Sequence, residues 1–348
     1  MSDLLNLKII QIIEETTEAK SFVFENVGGE KINYLPGQFL TFIFNTNGRE
    51  IRRSYSISST PEIDEHIKIT VKKIENGEIS RFFNNDVKVG DQISSLPPAG
   101  RFTLNVNNCF ERDVFLIAGG SGISPLYSNL KNILANEHLS NVKLIYANKN
   151  ESTTIFYKNL IELEKKYASQ FKIINIYSSP LENSHLSPQR LNNFLFEKLI
   201  KENLKFERHD AQFLICGPSE MIRMAQITLH FMGFVNDQIK KENFIIKPAP
   251  QPFNLNAETR TIKIRIKEKT HLLSIPPNKF ILQVALENHI NLPYSCKGGR
   301  CSTCTTRLIS GKVKMVINDV LTDQDLANGW ILTCTAQPET DEVEIEIL

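Results

Sequence analysis

The stretch VFLIAGGSGISPLYSNL, residues Val114–Leu130, is where one pattern in the chain gives way to another. Val114–Ala118 is a continuous apolar run, as in a strand buried on both faces. Gly119, Gly120 and Gly122 interrupt it, and LYSNLKNILANE then continues with helical spacing. A buried strand that turns through glycines into a helix suits a pyrophosphate. The backbone can approach closely there, and the N-terminal end of the helix dipole favours an anion. The spacing is not G-x-G-x-x-G, so the simple dinucleotide fingerprint is absent, and a glycine-rich turn without a ligand is the alternative.

Working outward, the pattern repeats downstream. VKLIYAN, a helical IFYKNLIELEKKY, FKIINIY, a helix from Pro188 to about Asn203, FLICG and a helix after Pro218 follow in turn. Strands alternating with helices imply right-handed crossovers and a parallel sheet covered on both sides. Upstream of Asp113 the chain reads as short strands instead. FLTFIF (Phe39–Phe44) is rich in aromatic and β-branched residues, IKITVKK (Ile67–Lys73) alternates apolar and polar positions, and LPGQ, NTNG, ENGE and PPAG supply turns. An antiparallel barrel or sandwich is expected there. After PAPQPFNLNAE (Pro248–Glu258), a proline-rich linker, come the alternating TIKIRIKE, a helical FILQVALENH and a closing DEVEIEIL, which read as a small α+β domain. The boundaries are placed at residues 1–107, 108–247, 248–258 (linker) and 259–348.

A chain of 348 residues is long for one domain, and two or three are expected. It holds 40 basic and 39 acidic residues, a net charge of +1, which gives none of the global field typical of nucleic-acid binders. The N-terminus carries acidic residues soon after a short apolar run and does not read as a signal peptide. No stretch approaches the roughly 20 apolar residues that span a bilayer. A cytoplasmic location without membrane insertion is therefore expected, where thiols stay reduced and clustered cysteines hold metal more often than they form disulfides.

Three cysteines crowd the segment YSCKGGRCSTCTTR (Tyr294–Arg307). Cys296, Cys301 and Cys304 have the C-x4-C-x2-C spacing of plant-type 2Fe–2S ferredoxins, and Cys334 follows on a strand-like segment as the fourth ligand. Two irons and two sulfides need four thiolates. Gly298 and Gly299 allow the tight loop and bring backbone N–H groups close to sulfur. Zinc is the alternative, but zinc sites usually pair their ligands in two short knuckles. Lys297 and Arg300 on the rim are candidates for an acidic partner. Cys109 reads as an incidental thiol.

In RRSYSISS (Arg52–Ser59), an arginine fork suited to phosphate lies two residues before a tyrosine on the same strand face, and Ser56 points the other way. VKKIENGEIS (Val71–Ser80) ends in G-x-x-S at an expected helix start, and PPAGRF closes the domain. In this order, with G-G-S-G-I-S-P and the C-G-P of FLICGPSEMI (Phe213–Ile222), the segments resemble the ferredoxin–NADP reductase superfamily. The resemblance covers nearly the whole chain. It implies a multidomain fold: an antiparallel β-barrel FAD domain, an α/β parallel-sheet (Rossmann-like) nicotinamide domain and an α+β (β-grasp) ferredoxin domain.

For the site, the resemblance implies that Arg53 binds the FAD pyrophosphate with Gly77, Ile79 and Ser80. Tyr55 would stack on the flavin, Ser56 would bond near its N5, and Val71 and Lys72 would line it. Gly119, Gly120, Gly122, Ile123 and Pro125 would hold the nicotinamide nucleotide. Cys216, Gly217, Pro218 and Met221 would shape the nicotinamide pocket, with Glu242 nearby and Phe244 covering the flavin. Asn148 stands where an acidic residue would favour NADH; with Lys149, Ser152 and Thr153 beside it, NADPH is expected, with NADH the alternative. The G-x-x-S segment favours FAD over FMN.

The domain order resembles the reductase components of multicomponent oxygenases, hydroxylases and desaturases, of the phenylacetyl-CoA oxygenase type. The implied activity is an NAD(P)H-dependent oxidoreductase passing electrons through FAD to the cluster and on to a partner oxygenase or hydroxylase. Two alternatives stand beside it. One is a non-oxygenase acceptor such as a hybrid-cluster protein; the other is a non-enzymatic nucleotide sensor with structural zinc.

Overall fold

The computed structural model describes residues 4–46, 48–182, 184, 186–244, 248–252 and 258–347. They fall into two compact units, residues 2–243 and 244–348. Of the expected linker, residues 253–257 lie outside the described chain. In its described part, Ala249 is 8% exposed and donates its N–H to Lys297 O at 3.0 Å, so this stretch packs onto the C-terminal unit.

The first unit opens with β1 (Leu5–Thr16), β2 (Ala19–Asn26), β3 (Phe39–Thr46), β4 (Arg49–Ser56), β5 (Ile67–Lys72), α1 (Glu78–Asn85) and β6 (Gln92–Ala99). Sheet order is β4-β3-β6-β1-β2-β5, antiparallel throughout. Past β4, Ile57 bridges to Ile69 and Ser58 donates to Lys68 O at 2.7 Å, which brings the chain after β4 against β5 and closes the sheet into a barrel. The alternation in β5 places Ile67, Ile69 and Val71 in the barrel core with Phe22, Phe24, Phe42 and Phe83.

The same unit continues with β7 (Asp113–Gly119), α2 (Ile123–Asn136), β8 (Asn141–Asn148), α3 (Tyr157–Lys166), β9 (Phe171–Tyr177), α4 (Asn193–Asn203), β10 (Gln212–Cys216), α5 (Ser219–Phe231) and β11 (Ile239–Glu242). The sheet is fully parallel, in the order β11-β10-β7-β8-β9. From β7 the chain proceeds outward to β9, then returns to the other side of β7 as β10. Ligands of such sheets bind outside the carboxyl ends of the strands where the order reverses. Here that point lies between Gly119 and Cys216. The helix expected from Pro188 begins only at Asn193, where the Asn192 side chain accepts the Leu195 N–H at 2.9 Å and caps it.

The second unit holds β12 (Arg260–Ile266), β13 (Lys269–Ile275), α6 (Ile281–Glu287), β14 (Thr305–Ser310), β15 (Val313–Met315), α7 (Asp323–Ala327), β16 (Trp330–Leu332), β17 (Ala336–Pro338) and β18 (Val343–Ile347). Its mixed sheet runs β13-β12-β18-β14-β16, with β12 and β18 parallel at the centre, and β15 pairs with β17 apart from it. Ile281, Leu282, Val284 and Ala285 of α6 join the core that also contains Cys304 and Cys334. This is the α+β arrangement expected of the last ninety residues.

Candidate functional site

At the switch point two turns press together. A Cβ on Gly122 would lie 2.1 Å from Cys216 O, and one on Gly217 would lie 2.9 Å from Gly119 N and 2.5 Å from Met221 Cε. Gly119 in turn faces Pro218 Cδ, which a Cβ would meet at 2.6 Å. The sequence motif accounted for these glycines by ligand approach. Contact between the two turns is an equally demanding reason, visible only once β7 and β10 are neighbours. Gly120, with φ +52° and open space around it, is the one that the backbone angle requires.

Cys216 and Glu242 face each other in parallel register, and Glu242 Oε2 accepts the Ser56 hydroxyl at 3.1 Å, tying β4 of the barrel to this sheet. Burial, and then the neighbouring carboxylate, push the Cys216 thiol well above its ordinary range, so it is a neutral side chain. Burial raises Glu242 from 4.5 to about 8, against the opposing Ser56 hydrogen bond. A carboxyl raised in the folded protein contributes most below pH 4.5. Its contribution falls as pH rises through 8, by at most roughly 1.4 kcal/mol per pH unit. Glu242→Gln is therefore expected to gain thermal midpoint over the parent between pH 5 and 8, the gap levelling above 8. Parallel melting curves from pH 5 to 9 would contradict it.

On the barrel, Tyr55 lies edge-on to Phe83 at 5.2 Å and tilted to Phe42 at 6.2 Å, half-buried, so its ring is held firmly. Burial raises its phenol well above the ordinary value, and Arg53 opposes the shift. Arg53 donates to Arg52 O at 2.8 Å. Val71 is buried and its carbonyl accepts from Asn84, while Lys72 pairs with Glu18 at 3.6 Å. Helix α1 starts after Gly77, as G-x-x-S foretold. The Ser80 hydroxyl, however, donates to Gly77 O and accepts from the Ile74 N–H, so it closes the loop. What remains for an anion at that end is the first-turn amides, Ile79 among them. A cleft of about 760 Å³ beside α1 is lined by Phe44, Asn45, Asn76, Arg81 and Phe82 among others. Arg81 carried no sequence signal, because only the packing of α1 against β3, Phe82 on Phe44, brings it to this cleft.

Along the same carboxyl edge of the parallel sheet, after β8, Lys149 is exposed. Ser152 and Thr153 are spent locally: Ser152 donates to Asn150 Oδ1 at 2.9 Å, and Thr153 forms a capping box with Asn150. The hydroxyls expected to greet a phosphate are thus occupied by a short 3-10 turn. Ser124 Oγ, at the start of α2, and Asn148 Nδ2, at the end of β8, are buried and meet no hydrogen-bond partner of good geometry among the described residues, Asn148 lying beside the Tyr146 hydroxyl. Such groups are costly unless something satisfies them. Both lie at the carboxyl edge of the sheet, where a nucleotide fits. Ile123 and Pro125 are buried beside them. Phe244 is 42% exposed and opens the C-terminal unit.

In that unit, Cys301 hydrogen-bonds Cys296, and Cys304 hydrogen-bonds Cys334. Cys296 also accepts the Gly298 N–H at 3.4 Å. Hydrogen bonding by Cys301 first, then by backbone N–H groups, holds the Cys296 thiol down to about 6. The hydrogen-bonded sulfurs are Cys296 with Cys301 and Cys304 with Cys334, and Cys301 and Cys304 are near enough to feel each other's charge. Two pairs fit two bridged irons; a single tetrahedral zinc needs all four around one point. Of the two glycines only Gly299 takes positive φ (+73°), and a Cβ there would lie 2.4 Å from Ile317 O, while Lys297 and Ser302 adopt left-handed angles themselves. Cys334 sits in the turn between β16 and β17, where a strand was expected. Arg300 bonds Asp319 at 3.1 Å, which leaves Lys297, lying over the Tyr294 ring, as the exposed cation of the rim.

Comparison with known proteins agrees with this layout. An oxidoreductase FAD-binding domain matches residues 6–104, an oxidoreductase NAD-binding domain 116–226, and a 2Fe-2S iron-sulfur cluster binding domain 264–339. The chain is 32% identical over 358 residues to the ferredoxin reductase component of 3-ketosteroid-9-alpha-monooxygenase from Mycolicibacterium smegmatis, spanning 99% of this chain and 97% of that one. It is 29% identical over 351 residues to one of the subunits of 1,2-phenylacetyl-CoA epoxidase from Escherichia coli K12, with 99% and 98% coverage. In structure it is similar to phthalate dioxygenase reductase, with a TM-score of 0.59, 23% identity and 99% and 98% coverage, a likeness of fold.

Fold and site together define an NAD(P)H-dependent oxidoreductase with FAD and a 2Fe–2S cluster. The chain belongs to the family of FAD- and 2Fe–2S-containing ferredoxin reductases that includes the Mycolicibacterium smegmatis component. The resemblance read from R-x-Y-S, the glycine loop, C-G-P and the cysteine spacing is borne out, as are the fold class and the three cofactors. No helix among the described residues is long and apolar enough to cross a membrane.

Proposed function

We propose that this protein is the reductase of a multicomponent oxygenase or hydroxylase, using NADPH, located in the cytoplasm, and delivering electrons to a separate oxygenase protein. Its relatives' names, a ketosteroid monooxygenase reductase and a phenylacetyl-CoA epoxidase component, support that partner class. Asn148 in place of an acidic residue, with Lys149 exposed beside it, supports NADPH. When bound, FAD takes two electrons from the nicotinamide and releases them singly, and the 2Fe–2S cluster carries them out.

The chain's own residues supply binding and placement. Arg53 and the first-turn amides of Gly77–Ser80 would hold the FAD pyrophosphate, with Tyr55, Val71 and Lys72 along the flavin. Gly119, Gly120, Gly122, Ile123 and Pro125 would hold the dinucleotide, with Ser124 and Asn148 as hydrogen-bonding groups awaiting it. Cys216, Gly217, Pro218 and Met221 would shape the nicotinamide pocket as neutral, tightly packed walls. Cys296, Cys301, Cys304 and Cys334 would ligate the cluster. The functional division is at 1–107, 108–247 and 259–348. The single observation that carries this reading is the Ser56–Glu242 hydrogen bond with Cys216 in register, because it joins the flavin-side strand to the nicotinamide-side switch point.

Anaerobic mixing of the purified protein with NADPH tests the order. Flavin absorbance is expected to bleach before cluster absorbance, and NADPH to outperform NADH in kcat/KM. Cluster bleaching first would refute the order, and colourless protein containing zinc would refute the enzyme reading itself. Turnover reconstituted with candidate oxygenase components tests the partner.

A further inference from the structure

We propose that Ser128 and Asn129, adjacent on α2, form a clamp that sets the spacing between the barrel and the nicotinamide half, and are positioning residues for electron transfer between them. Helix α2 begins at the glycine turn of the switch point, so its placement governs where a nucleotide held there sits. Ser128 Oγ donates to Ser59 O at 2.5 Å, and Thr60 Oγ1 donates to Ser128 O at 3.0 Å. Ser59 and Thr60 continue directly from the β4 segment that carries Tyr55 and Ser56.

One residue on, Asn129 Nδ2 donates to Phe102 O at 3.1 Å and to Pro125 O at 2.9 Å, and its Oδ1 accepts the Leu104 N–H at 3.3 Å. Phe102 and Leu104 lie on the segment leaving the barrel, and they share a core cluster with Leu126 and Leu130 of α2. Gly37, from the barrel loop before β3, has φ +90°, and a Cβ there would lie 2.4 Å from Asn129 Nδ2 and 2.1 Å from Phe102 O. The amide is thus seated against bare barrel backbone. Ser59, Thr60, Ser128 and Asn129 are all 0% exposed.

Both N–H bonds of the Asn129 amide are used within the protein, as is the Ser128 hydroxyl proton. Neither side chain has a donor left for a cofactor, so their contribution is geometric. Because buried polar groups without partners are expensive, the bonded arrangement is a defined position and not a sliding contact. A displacement of about 1 Å at a reacting pair costs on the order of 100-fold in rate.

This inference rests on the reading that a nicotinamide at the switch point reduces a flavin beside Ser56. The test uses full-length Ser128→Ala and Asn129→Ala, with three readouts. Amide hydrogen exchange of residues 100–106 in cofactor-free protein is expected to quicken, Leu104 most of all in Asn129→Ala. In holoenzyme, the limiting rate of flavin reduction is expected to fall about 10- to 100-fold. The NADPH dissociation constant should stay at its parental value, and the isotope effect with C4-deuterated NADPH should rise towards its full value. Ser128→Ala loses one hydroxyl and almost no volume, so it decides the matter whatever Asn129→Ala does. A parental reduction rate in Ser128→Ala, or equal loss of rate and NADPH affinity, overturns the clamp. Failure of NADPH and NADH to reduce the parent protein overturns the underlying reading instead.

Discussion

Cys304→Ser is expected to abolish NADPH-dependent cytochrome c reduction while largely sparing NADPH–ferricyanide activity. Cys304 is 4% exposed, packed in the core of the C-terminal unit and paired with Cys334. Losing a hydrogen-bond partner of a metal ligand already costs about 10- to 100-fold in affinity, and losing the ligand itself costs more. The residual hydroxyl would sit in an apolar core, so the second unit should also melt at lower temperature. Residues 2–243 form a separate compact unit and should keep flavin and nicotinamide chemistry. The check is the ratio of the two activities together with iron content per flavin. Equal loss of both activities would argue against separate flavin and cluster roles.

The second large effect is expected of Gly122→Ala. Its Cβ would meet Cys216 O at 2.1 Å, Cys216 C at 2.4 Å and Gly217 N at 2.8 Å, all backbone atoms that no rotamer change can move. The turns must separate by about 1 Å, the displacement at which positioned reactions lose roughly 100-fold. Flavin content should survive, since the atoms that a Cβ would strike belong to Cys216 and Gly217, while flavin reduction by NADPH should fall by about that factor. Parental stopped-flow rates in a fully flavinylated variant would show that the close approach of the two turns is immaterial to hydride transfer.

Much of this protein was legible before folding. The apolar run at Val114–Ala118 and the glycine turn after it announced a parallel sheet, because a strand covered on both faces has no polar alternation to conceal. A 2Fe–2S domain was readable from the spacing of Cys296, Cys301, Cys304 and Cys334, since a loop that wraps a cluster must place thiols at short, defined intervals. Motifs of this kind are local, and local geometry is written in adjacent residues.

What only the tertiary structure decided is everything that depends on residues far apart meeting. Ser56 and Glu242 are separated by most of the first unit, yet share a hydrogen bond; the resemblance implied a flavin-side place for each, and only the fold joined them. Ser80 and Thr153 looked like phosphate ligands by type, but their hydroxyls are consumed by the loops they stand in. Ser128 and Asn129 gave no signal at all, because a polar residue on a helix reads as solvent-facing until the barrel is known to cover that face. The chain thus determined its elements and cofactor chemistry from neighbouring residues. The placement of one half against the other came from buried hydrogen bonds whose partners no periodicity identifies.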